Sequence, residues 1–174
     1  MAEYQADLLI VGGGPIGTTL ACACGSAGIS SVVVDRVPAE DQLAPDFDGR
    51  ATAIAQGPKR MLDQIGIWQN IRDAAAPILD IRIADGQSSL FLHYDHGDVG
   101  EDALGYMVEN RYLRHAVLTA ARVFPEVNYL APDEIRKLDR TSTSITAELA
   151  SGDQIAASVV IGADGRNSFV REHA

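Results

Sequence analysis

Two short apolar runs and a segment of small residues between them mark the N-terminal part of the chain. Apolar runs at 8–11 and 32–34 have the length of buried strands, and they flank a segment of small residues from about 15 to 28. Small side chains suit a helix that packs closely against a sheet, and Gly28 stands where a helix C-cap is expected. Residues 6–35 are therefore predicted to form a strand, a helix and a second strand.

The pattern changes in the middle of the chain. Residues 36–49 are polar and are predicted to form a loop, whereas apolar residues recur at helical spacing over 58–71. Residues 78–109 instead alternate around an Asp85-Gly86 turn, which predicts antiparallel strands. We therefore expect an antiparallel β excursion inserted into an α/β unit.

The last third of the chain returns to the α/β pattern. Helical spacing at 111–122 is followed by four predicted strands, at about 127–130, 134–140, 144–149 and 154–162. A Ser-Gly-Asp turn joins the last two strands in a hairpin. The final strand contains a continuous run, residues 158–163, of the kind expected for a buried parallel strand.

Length and composition indicate one soluble, globular core. The chain has 174 residues, of which 47% are hydrophobic and 22% are charged. It carries 24 acidic and 14 basic residues, a net charge of −10, which argues against binding to a nucleic-acid backbone. No apolar run approaches the roughly 18 residues of a membrane span, and the N-terminus lacks the positive region of a signal peptide. A cytoplasmic location is expected.

The reactive side chains form no recognisable catalytic or metal-binding motif. Cys22 and Cys24 lie two residues apart on the predicted first helix and so point in different directions, which favours packing over a metal site. His93 and His96 lie in the antiparallel excursion, where a surface role is favoured over contact with a substrate. We therefore predict no metal site and assign no catalytic residue.

The most specific signal is the glycine turn between the first strand and the first helix. Gly12, Gly14 and Gly17 form a Gly-x-Gly-x-x-Gly motif, and Asp35 ends the second predicted strand. Gly12 allows a tight turn, Gly14 lets a pyrophosphate approach the backbone, and Gly17 lets the helix pack against the strand. The pyrophosphate would lie at the helix N-terminus, and Asp35 would accept hydrogen bonds from a ribose. This combination predicts an adenine dinucleotide site.

A second polar turn follows the last predicted strand. Asp164 and Gly165 come directly after it, and Ser168 can cap a helix that begins at Phe169. Ligands of open α/β sheets bind at the carboxyl ends of strands, so Asp164 lies where a ribose or a pyrophosphate could be met. From these residues alone, a plain strand-to-helix turn explains the segment equally well.

Four segments occur together in an order that resembles a known family. They are 12–17 with Asp35 and Arg36, 48–55 leading to Gly-Ile-Trp at 66–68, 109–111, and 163–171. In this combination the chain resembles the N-terminal part of the flavin-dependent aromatic monooxygenases of the para-hydroxybenzoate hydroxylase fold, and most of all the ubiquinone-biosynthesis hydroxylases. The resemblance implies an α/β, Rossmann-like FAD-binding fold of the GR2 type with an inserted antiparallel β excursion, present here in incomplete form.

The resemblance implies cofactor-binding roles at the glycine turn. Gly12, Gly14 and Gly17 would contact the FAD pyrophosphate, and the backbone N–H of Ile16 would donate to it. Asp35 would hold the adenosine ribose. The turn would therefore bind the adenosine diphosphate half of FAD.

Four further residues receive roles from the resemblance. Arg36 would lie near the adenine or its ribose, Arg50 would reach the pyrophosphate or the ribityl chain, and Arg111 would lie on the pyrophosphate side. A guanidinium matches phosphate oxygens bidentately, which suits both of the latter positions. Asp164 belongs to the family's Asp-Gly motif, which is linked to FAD and to the pyridine nucleotide.

The resemblance also divides the chain into segments. Residues 1–77 would be the first part of the FAD-binding domain, 78–109 the start of the substrate-domain β insertion, and 110–174 the second part of the FAD-binding domain. Enzymes of this kind are much longer, so the C-terminal remainder is expected to be absent. The 174-residue chain alone is expected to be inactive.

The implied reaction is hydroxylation of an aromatic ring, that of a ubiquinone precursor, with FAD as cofactor and NAD(P)H and O2 as co-substrates. Two alternatives stay open: a flavin hydroxylase of another aromatic substrate, and a dinucleotide-binding fragment without turnover. The expected partners are small molecules and not nucleic acid. Peripheral contact with the inner membrane or with a ubiquinone-biosynthesis complex is a further expectation.

Overall fold

The computed structural model describes residues 1–43, 48–86, 90–100 and 102–173. Its strands, in chain order, are β1 (Glu3–Val11), β2 (Ser31–Val34), β3 (Ala51–Ala55), β4 (Ala76–Ile78), β5 (Asp80–Ala84), β6 (Phe91–Asp95), β7 (Gly105–Glu109), β8 (Val127–Leu130), β9 (Ile135–Arg140), β10 (Ile145–Leu149) and β11 (Gln154–Gly162). Its α-helices are α1 (Pro15–Ser26), α2 (Ala39–Gln42), α3 (Gln56–Gln64), α4 (Asn110–Ala121) and α5 (Phe169–Glu172). The chain forms two units, Met1–Pro45 with Arg114–Ala174, and Asp46–Leu113.

A mixed sheet in the order β8-β2-β1-β11-β10-β9 forms the centre of the first unit. β8, β2, β1 and β11 pair in parallel, and β10 and β9 continue the sheet as antiparallel neighbours. Leu8 lies opposite both Ser31 and Val159, so β1 runs between β2 and β11. The strand, helix, strand prediction for 6–35 is confirmed, as is the hairpin that joins β10 to β11.

β1 is buried on both faces near its carboxyl end. Leu9 and Val11 pack in one apolar cluster with Ile155, and Ile10 packs on the other side with Ala21 of α1. Burial on both faces requires an apolar run and not an alternating pattern, which is why this strand could be recognised in the sequence. The cluster fixes the end of the strand from which the glycine turn departs.

Helix α1 follows the glycine turn and lies close to the sheet. It begins at Pro15, whose missing N–H would have no helical acceptor in the first turn, and Gly28 follows its end with a φ of 73°. Its buried residues are small: Gly17, Thr18, Ala21, Cys22 and Gly25. The predicted helix of small residues is confirmed.

The second unit contains two separate antiparallel sheets. One is three-stranded, in the order β3-β7-β4, and the other is the two-stranded ribbon of β5 and β6. Ile54, Leu62, Ile67, Trp68 and Val108 are buried in this unit. The predicted antiparallel excursion is confirmed, and it also includes β3, which precedes the predicted range.

The predicted helix at 58–71 is wrong in its second half. α3 ends at Gln64, Gly66 adopts a left-handed φ of 76°, and two short 3₁₀ turns follow at Trp68–Asn70 and Arg72–Ala74. A residue in the left-handed conformation ends an α-helix. The 3₁₀ turns that follow still bring an apolar residue to the same side about every three residues, so the helical pattern of apolar residues continues past the true end of α3.

Two other predictions need correction. The predicted loop at 36–49 contains the short helix α2, and its positions 44–47 lie outside the described residues. β11 is parallel to β1 as expected, but it is not buried throughout, because Val159 is 49% exposed. In its first half Ile155 and Ala157 are buried and the alternate residues, Gln154, Ala156 and Ser158, are exposed, so only one face packs against the core.

No helix in the described ranges is both long enough and apolar enough to cross a membrane. The division of the chain into FAD-binding parts, 1–77 and 110–174, and the start of a substrate domain, 78–109, depends on which ligand each part binds. It stays a prediction.

Candidate functional site

Three parallel strands of the first unit end at one edge of the sheet, and their ends are tied together. The N–H of Gly12, after β1, donates to the carbonyl of Val34 in β2 at 2.8 Å. The N–H of Ala163, after β11, donates to the carbonyl of Val11 in β1 at 2.7 Å. The turns that follow these strands are therefore held side by side, as the carboxyl-end rule for open sheets requires.

A pocket of about 360 Å³ opens at this edge. Among the residues predicted to bind a cofactor, it is lined by Gly12, Gly14, Asp35, Arg36 and Asp164. Asp133, Glu134 and Ile135, at the start of β9, also line it and were not anticipated. The structure thus brings the two sequence motifs, the glycine turn and the Asp-Gly turn, to the same pocket.

The glycines of the motif differ in what surrounds them. A Cβ on Gly12, whose φ is 102°, would overlap the carbonyl oxygen of Ala163, and a Cβ on Gly17 would overlap the carbonyl oxygen of Gly12. A Cβ on Gly14 would meet no atom within 4 Å. Gly12 and Gly17 are therefore needed for the packing of the turn, whereas Gly14 borders open space at the pocket.

The N-terminus of α1 supplies donors next to that space. Gly14 is its N-cap, and no side chain of the described residues caps it. The N–H groups of Ile16 and Gly17 lie in the first turn, where a helix offers no acceptor, so they can donate to an anion. The Ile16 side chain is apolar and 79% exposed, so only its backbone N–H can donate a hydrogen bond at this position.

Asp35 is part of the turn as well as of the pocket. Its Oδ2 accepts from the N–H of Gly13 at 2.6 Å, and its Oδ1 accepts from the N–H of Val37 at 2.7 Å. Each carboxylate oxygen has a second lone pair, so these bonds leave room for the predicted ribose contact. Arg36 is exposed beside it and lines the pocket.

Asp164 is tied to the start of α5. Its Oδ1 accepts from the Ser168 hydroxyl at 2.6 Å, and its Oδ2 accepts from the N–H of Val170 at 3.2 Å. Burial acts to raise the pKa of Asp164, but these hydrogen bonds outweigh it and lower the pKa below its usual value. Ser168 Oγ also accepts from the N–H of Arg171, which confirms the predicted cap of a helix that begins at Phe169.

Arg50 and Arg111 lie in the second unit. Arg50 is an exposed side chain that pairs with Asp48 at 2.8 Å. Arg111 pairs with Glu109 at 2.7 Å, and its guanidinium lies 4.8 Å from the centre of the Tyr112 ring. Their predicted contacts with the pyrophosphate stay predictions.

Several residues that hold the glycine turn were missed by sequence reasoning. The carbonyl of Gly13 accepts hydrogen bonds from Thr18 Oγ1 and from the Tyr129 hydroxyl, and Gln42 Nε2 donates to that hydroxyl. One signal was visible: the motif requires only two of the three consecutive glycines. A third glycine indicates that a neighbour approaches closely at Gly13.

Cys22 lies in the core of the first unit, and His93 contacts a carboxylate on the ribbon of β5 and β6. Cys22 is fully buried, and burial raises the pKa of its thiol to about 11, so it stays protonated and packs. His93 Nε2 lies 2.7 Å from Asp80 Oδ1 on the ribbon. Asp80 and Asp95 face each other across the ribbon, and the exposed His93 lies beside them, with one ligand atom of each of the three within 4.8 Å of the others.

Residues 5–174 match the family described as FAD binding domain. The chain belongs to this family. FAD is therefore the cofactor of this family. Within the part of the chain that the structure describes, the open space at Gly14, the first-turn N–H groups of α1 and the carboxylate of Asp35 suit its adenosine diphosphate half.

Curated relatives include ubiquinone hydroxylases. The ubiquinone hydroxylase UbiL of Rhodospirillum rubrum is 47% identical over 173 residues, which cover 99% of this chain and 40% of the relative. The 3-demethoxyubiquinol 3-hydroxylase of Escherichia coli is 30% identical over 176 residues, covering 100% of this chain and 45% of the relative. The chain thus spans less than half the length of these relatives.

A solved structure shares the fold. The p-nitrophenol 4-monooxygenase PnpA of Pseudomonas putida superposes with a TM-score of 0.79 at 23% identity, over 98% of this chain and 43% of that one. The α/β fold of an FAD-binding monooxygenase, present in part, is thereby confirmed.

Proposed function

We propose that this chain is the FAD-binding part of an NAD(P)H-dependent monooxygenase that hydroxylates the aromatic ring of a ubiquinone precursor. The observation that carries the proposal is the pocket at the ends of β1, β2 and β11, where Gly14 leaves space beside unpaired helix donors. The 47% identity to a ubiquinone hydroxylase supports the substrate class.

Each pocket residue has a distinct task toward FAD. The N–H groups of Gly14, Ile16 and Gly17 receive the pyrophosphate, and Asp35 accepts hydrogen bonds from the adenosine ribose. Arg36 lies on the adenosine side of the pocket. Arg50 and Arg111 belong to the second unit, and their contact with the phosphates is proposed only from the resemblance of their motifs. Asp164 fixes the Asp-Gly turn that closes the pocket. FAD, when bound, supplies the redox chemistry that uses NAD(P)H and O2.

One face of the β5–β6 ribbon is apolar and exposed, which favours an apolar substrate as its ligand. Ile81 pairs with Tyr94 and Ile83 with Leu92 across β5 and β6, so these four side chains share one face. All four are exposed in the described residues. An apolar exposed face marks an interaction site, and an aromatic ring with a hydrophobic tail is a ligand of matching chemistry. We therefore propose that 78–109 begins the substrate-binding part.

Two measurements test the function. A flavin absorption band in the purified protein that NAD(P)H bleaches and air restores would support turnover, whereas a colourless preparation that takes up no added FAD would favour an inert module. Deleting the gene that encodes the chain in its own organism should lower ubiquinone and accumulate an under-hydroxylated precursor. Normal ubiquinone in the deletion strain would refute the substrate and leave a different aromatic hydroxylation as the alternative.

We further propose peripheral contact of the complete protein with the inner membrane or with other ubiquinone-biosynthesis proteins, because ubiquinone precursors carry long apolar tails. Flotation of the protein with phospholipid vesicles tests the membrane contact. Protein that stays at the bottom of the gradient at all salt concentrations would contradict it.

A further inference from the structure

The carbonyl group of Gly13 is held by two hydroxyl donors. The Tyr129 hydroxyl lies 2.9 Å from the Gly13 carbonyl oxygen, and Thr18 Oγ1 lies 2.8 Å from the same atom. Tyr129 belongs to β8, at the edge of the sheet, and pairs with Val33 of β2. A residue distant in sequence, on the strand next to β2, therefore contacts the glycine turn.

Gln42 determines the direction of the Tyr129 hydroxyl. Its Nε2 lies 2.9 Å from the Tyr129 oxygen and 3.3 Å from the carbonyl of Val37. An amide NH2 only donates, so the Tyr129 oxygen is the acceptor from Gln42 and its one proton goes to Gly13. Burial raises the pKa of Tyr129 to about 12, so the phenol keeps this proton at physiological pH.

Fixing this carbonyl also fixes the next N–H. In a planar trans peptide the N–H of Gly14 points opposite to the C=O of Gly13. The carbonyl points toward Thr18 and Tyr129, so the Gly14 N–H points away from them, and Gly14 lines the pocket. A rotated peptide would present a carbonyl oxygen to a phosphate, which is repulsive.

We propose that Tyr129, oriented by Gln42, is a positioning residue for the pyrophosphate of FAD: it keeps the Gly13–Gly14 peptide in the orientation that presents an N–H to the phosphates. This inference rests on the proposed FAD site. It also explains Gly13, because a Cβ there would overlap the Tyr129 ring and hydroxyl.

The test compares Tyr129→Phe with Tyr4→Phe in the full chain. Tyr4 is a partly buried tyrosine of β1 in the same sheet, and it does not line the pocket. FAD affinity is measured by quenching of flavin fluorescence, the two ³¹P resonances of bound FAD by NMR, and the Tm of the protein without FAD by calorimetry.

We expect Tyr129→Phe to weaken FAD binding about 3- to 10-fold, the loss of one hydrogen bond, and to shift the ³¹P resonances, while Tyr4→Phe changes neither. A lowered Tm with unchanged affinity and unchanged ³¹P shifts would overturn the inference and leave Tyr129 a packing residue. If the wild-type chain binds no FAD, the proposed function fails instead, so the two failures are distinguishable.

A double substitution separates the steric contact between Gly13 and the Tyr129 ring from the hydrogen bond of the Tyr129 hydroxyl. Gly13→Ala should lower the Tm by collision with the Tyr129 ring, and adding Tyr129→Val should restore the Tm by removing the ring. The double variant still lacks the hydroxyl, so its FAD affinity should stay below that of the wild type. Wild-type FAD affinity in a double variant whose Tm is restored would overturn the inference.

Discussion

At the scale of single residues, the glycine turn divides its tasks among four glycines. A Cβ on Gly12 or on Gly17 would overlap backbone atoms, and a Cβ on Gly13 would overlap the Tyr129 side chain. A Cβ on Gly14 would point into open space. A motif that looks like one unit in the sequence therefore contains three positions that the packing of the fold requires and one position, Gly14, that is open and is proposed to receive the ligand. Substitutions can separate these tasks.

Gly14→Val should abolish FAD retention without unfolding the protein. The φ of −68° and ψ of −177° at Gly14 suit valine, and the added atoms meet no protein atom but occupy the space of the pyrophosphate. We expect an apoprotein Tm close to that of the wild type and no measurable flavin after gel filtration. Retained flavin would contradict the placement of the pyrophosphate.

Two glycine variants serve as controls for that prediction. Gly12→Val should lower the Tm, because valine is strained at a φ of 102° and overlaps Ala163. Gly100→Val, at an exposed position with open space around it and no left-handed φ, should leave both the Tm and the flavin content nearly unchanged. Equal behaviour of all three variants would show that only general stability is measured.

Asp35→Ala should weaken FAD binding by about 1–3 kcal/mol, the value of charge-assisted hydrogen bonds. It should also lower the Tm, because the N–H groups of Gly13 and Val37 lose their acceptor. Asp35→Asn keeps an acceptor oxygen and should lose less of both. Isothermal titration with FAD and calorimetry measure the two effects, and unchanged FAD affinity in Asp35→Ala would refute the ribose contact.

At the scale of elements, local patterns predicted most strands and could not predict the contacts between them. The strands at 127–130 and 154–162 agree with the structure because apolar runs bounded by turns are a local property. The true end of α3 was missed because the 3₁₀ turns after Gly66 keep nearly helical spacing. The bond between Tyr129 and Gly13 spans 116 residues, and no local pattern encodes it.

The cap of α5 is an element whose stability should depend on pH. The pKa of Asp164 is lowered in the folded state, so its contribution is complete above its unfolded pKa of about 4 and is lost as the pH falls through the lower folded value. Asp164→Asn should therefore reduce the free energy of unfolding at pH 7 by about 1–2 kcal/mol, and the difference should shrink below about pH 4.

Urea unfolding at several pH values measures this effect, with Asp98→Asn, a change at an exposed carboxylate, as the matched control. The control should leave the free energy of unfolding at pH 7 close to the wild-type value. A difference between wild type and Asp164→Asn that persists unchanged into acid would contradict the role of the ionised carboxylate.

At the scale of the whole molecule, a strongly acidic chain is proposed to bind a dianionic diphosphate. The net charge is −10, and the pocket is lined by Asp35, Asp133, Glu134 and Asp164 against Arg36. Attraction by cations is therefore a poor explanation of binding, whereas backbone N–H groups and the dipole of α1 act at short range. The first unit provides these donors within one sheet edge.

FAD affinity should accordingly stay constant or rise slightly when ionic strength increases from low values to about 0.15 M, because salt screens the repulsion between the acidic protein and the diphosphate. Fluorescence titrations at several salt concentrations measure it, with a neutral osmolyte as the control for added solute. A tenfold fall in affinity would instead show that Arg36, Arg50 and Arg111 dominate binding.

We propose that the FAD pyrophosphate binds at the N-terminus of α1. Titration of the ¹⁵N-labelled chain with FAD, followed by amide NMR, tests it most directly. We predict that the largest shifts fall on Gly14, Ile16 and Gly17, with smaller shifts around Asp35 and Asp164. Saturable FAD binding that leaves these amides unmoved and shifts another surface would contradict the account.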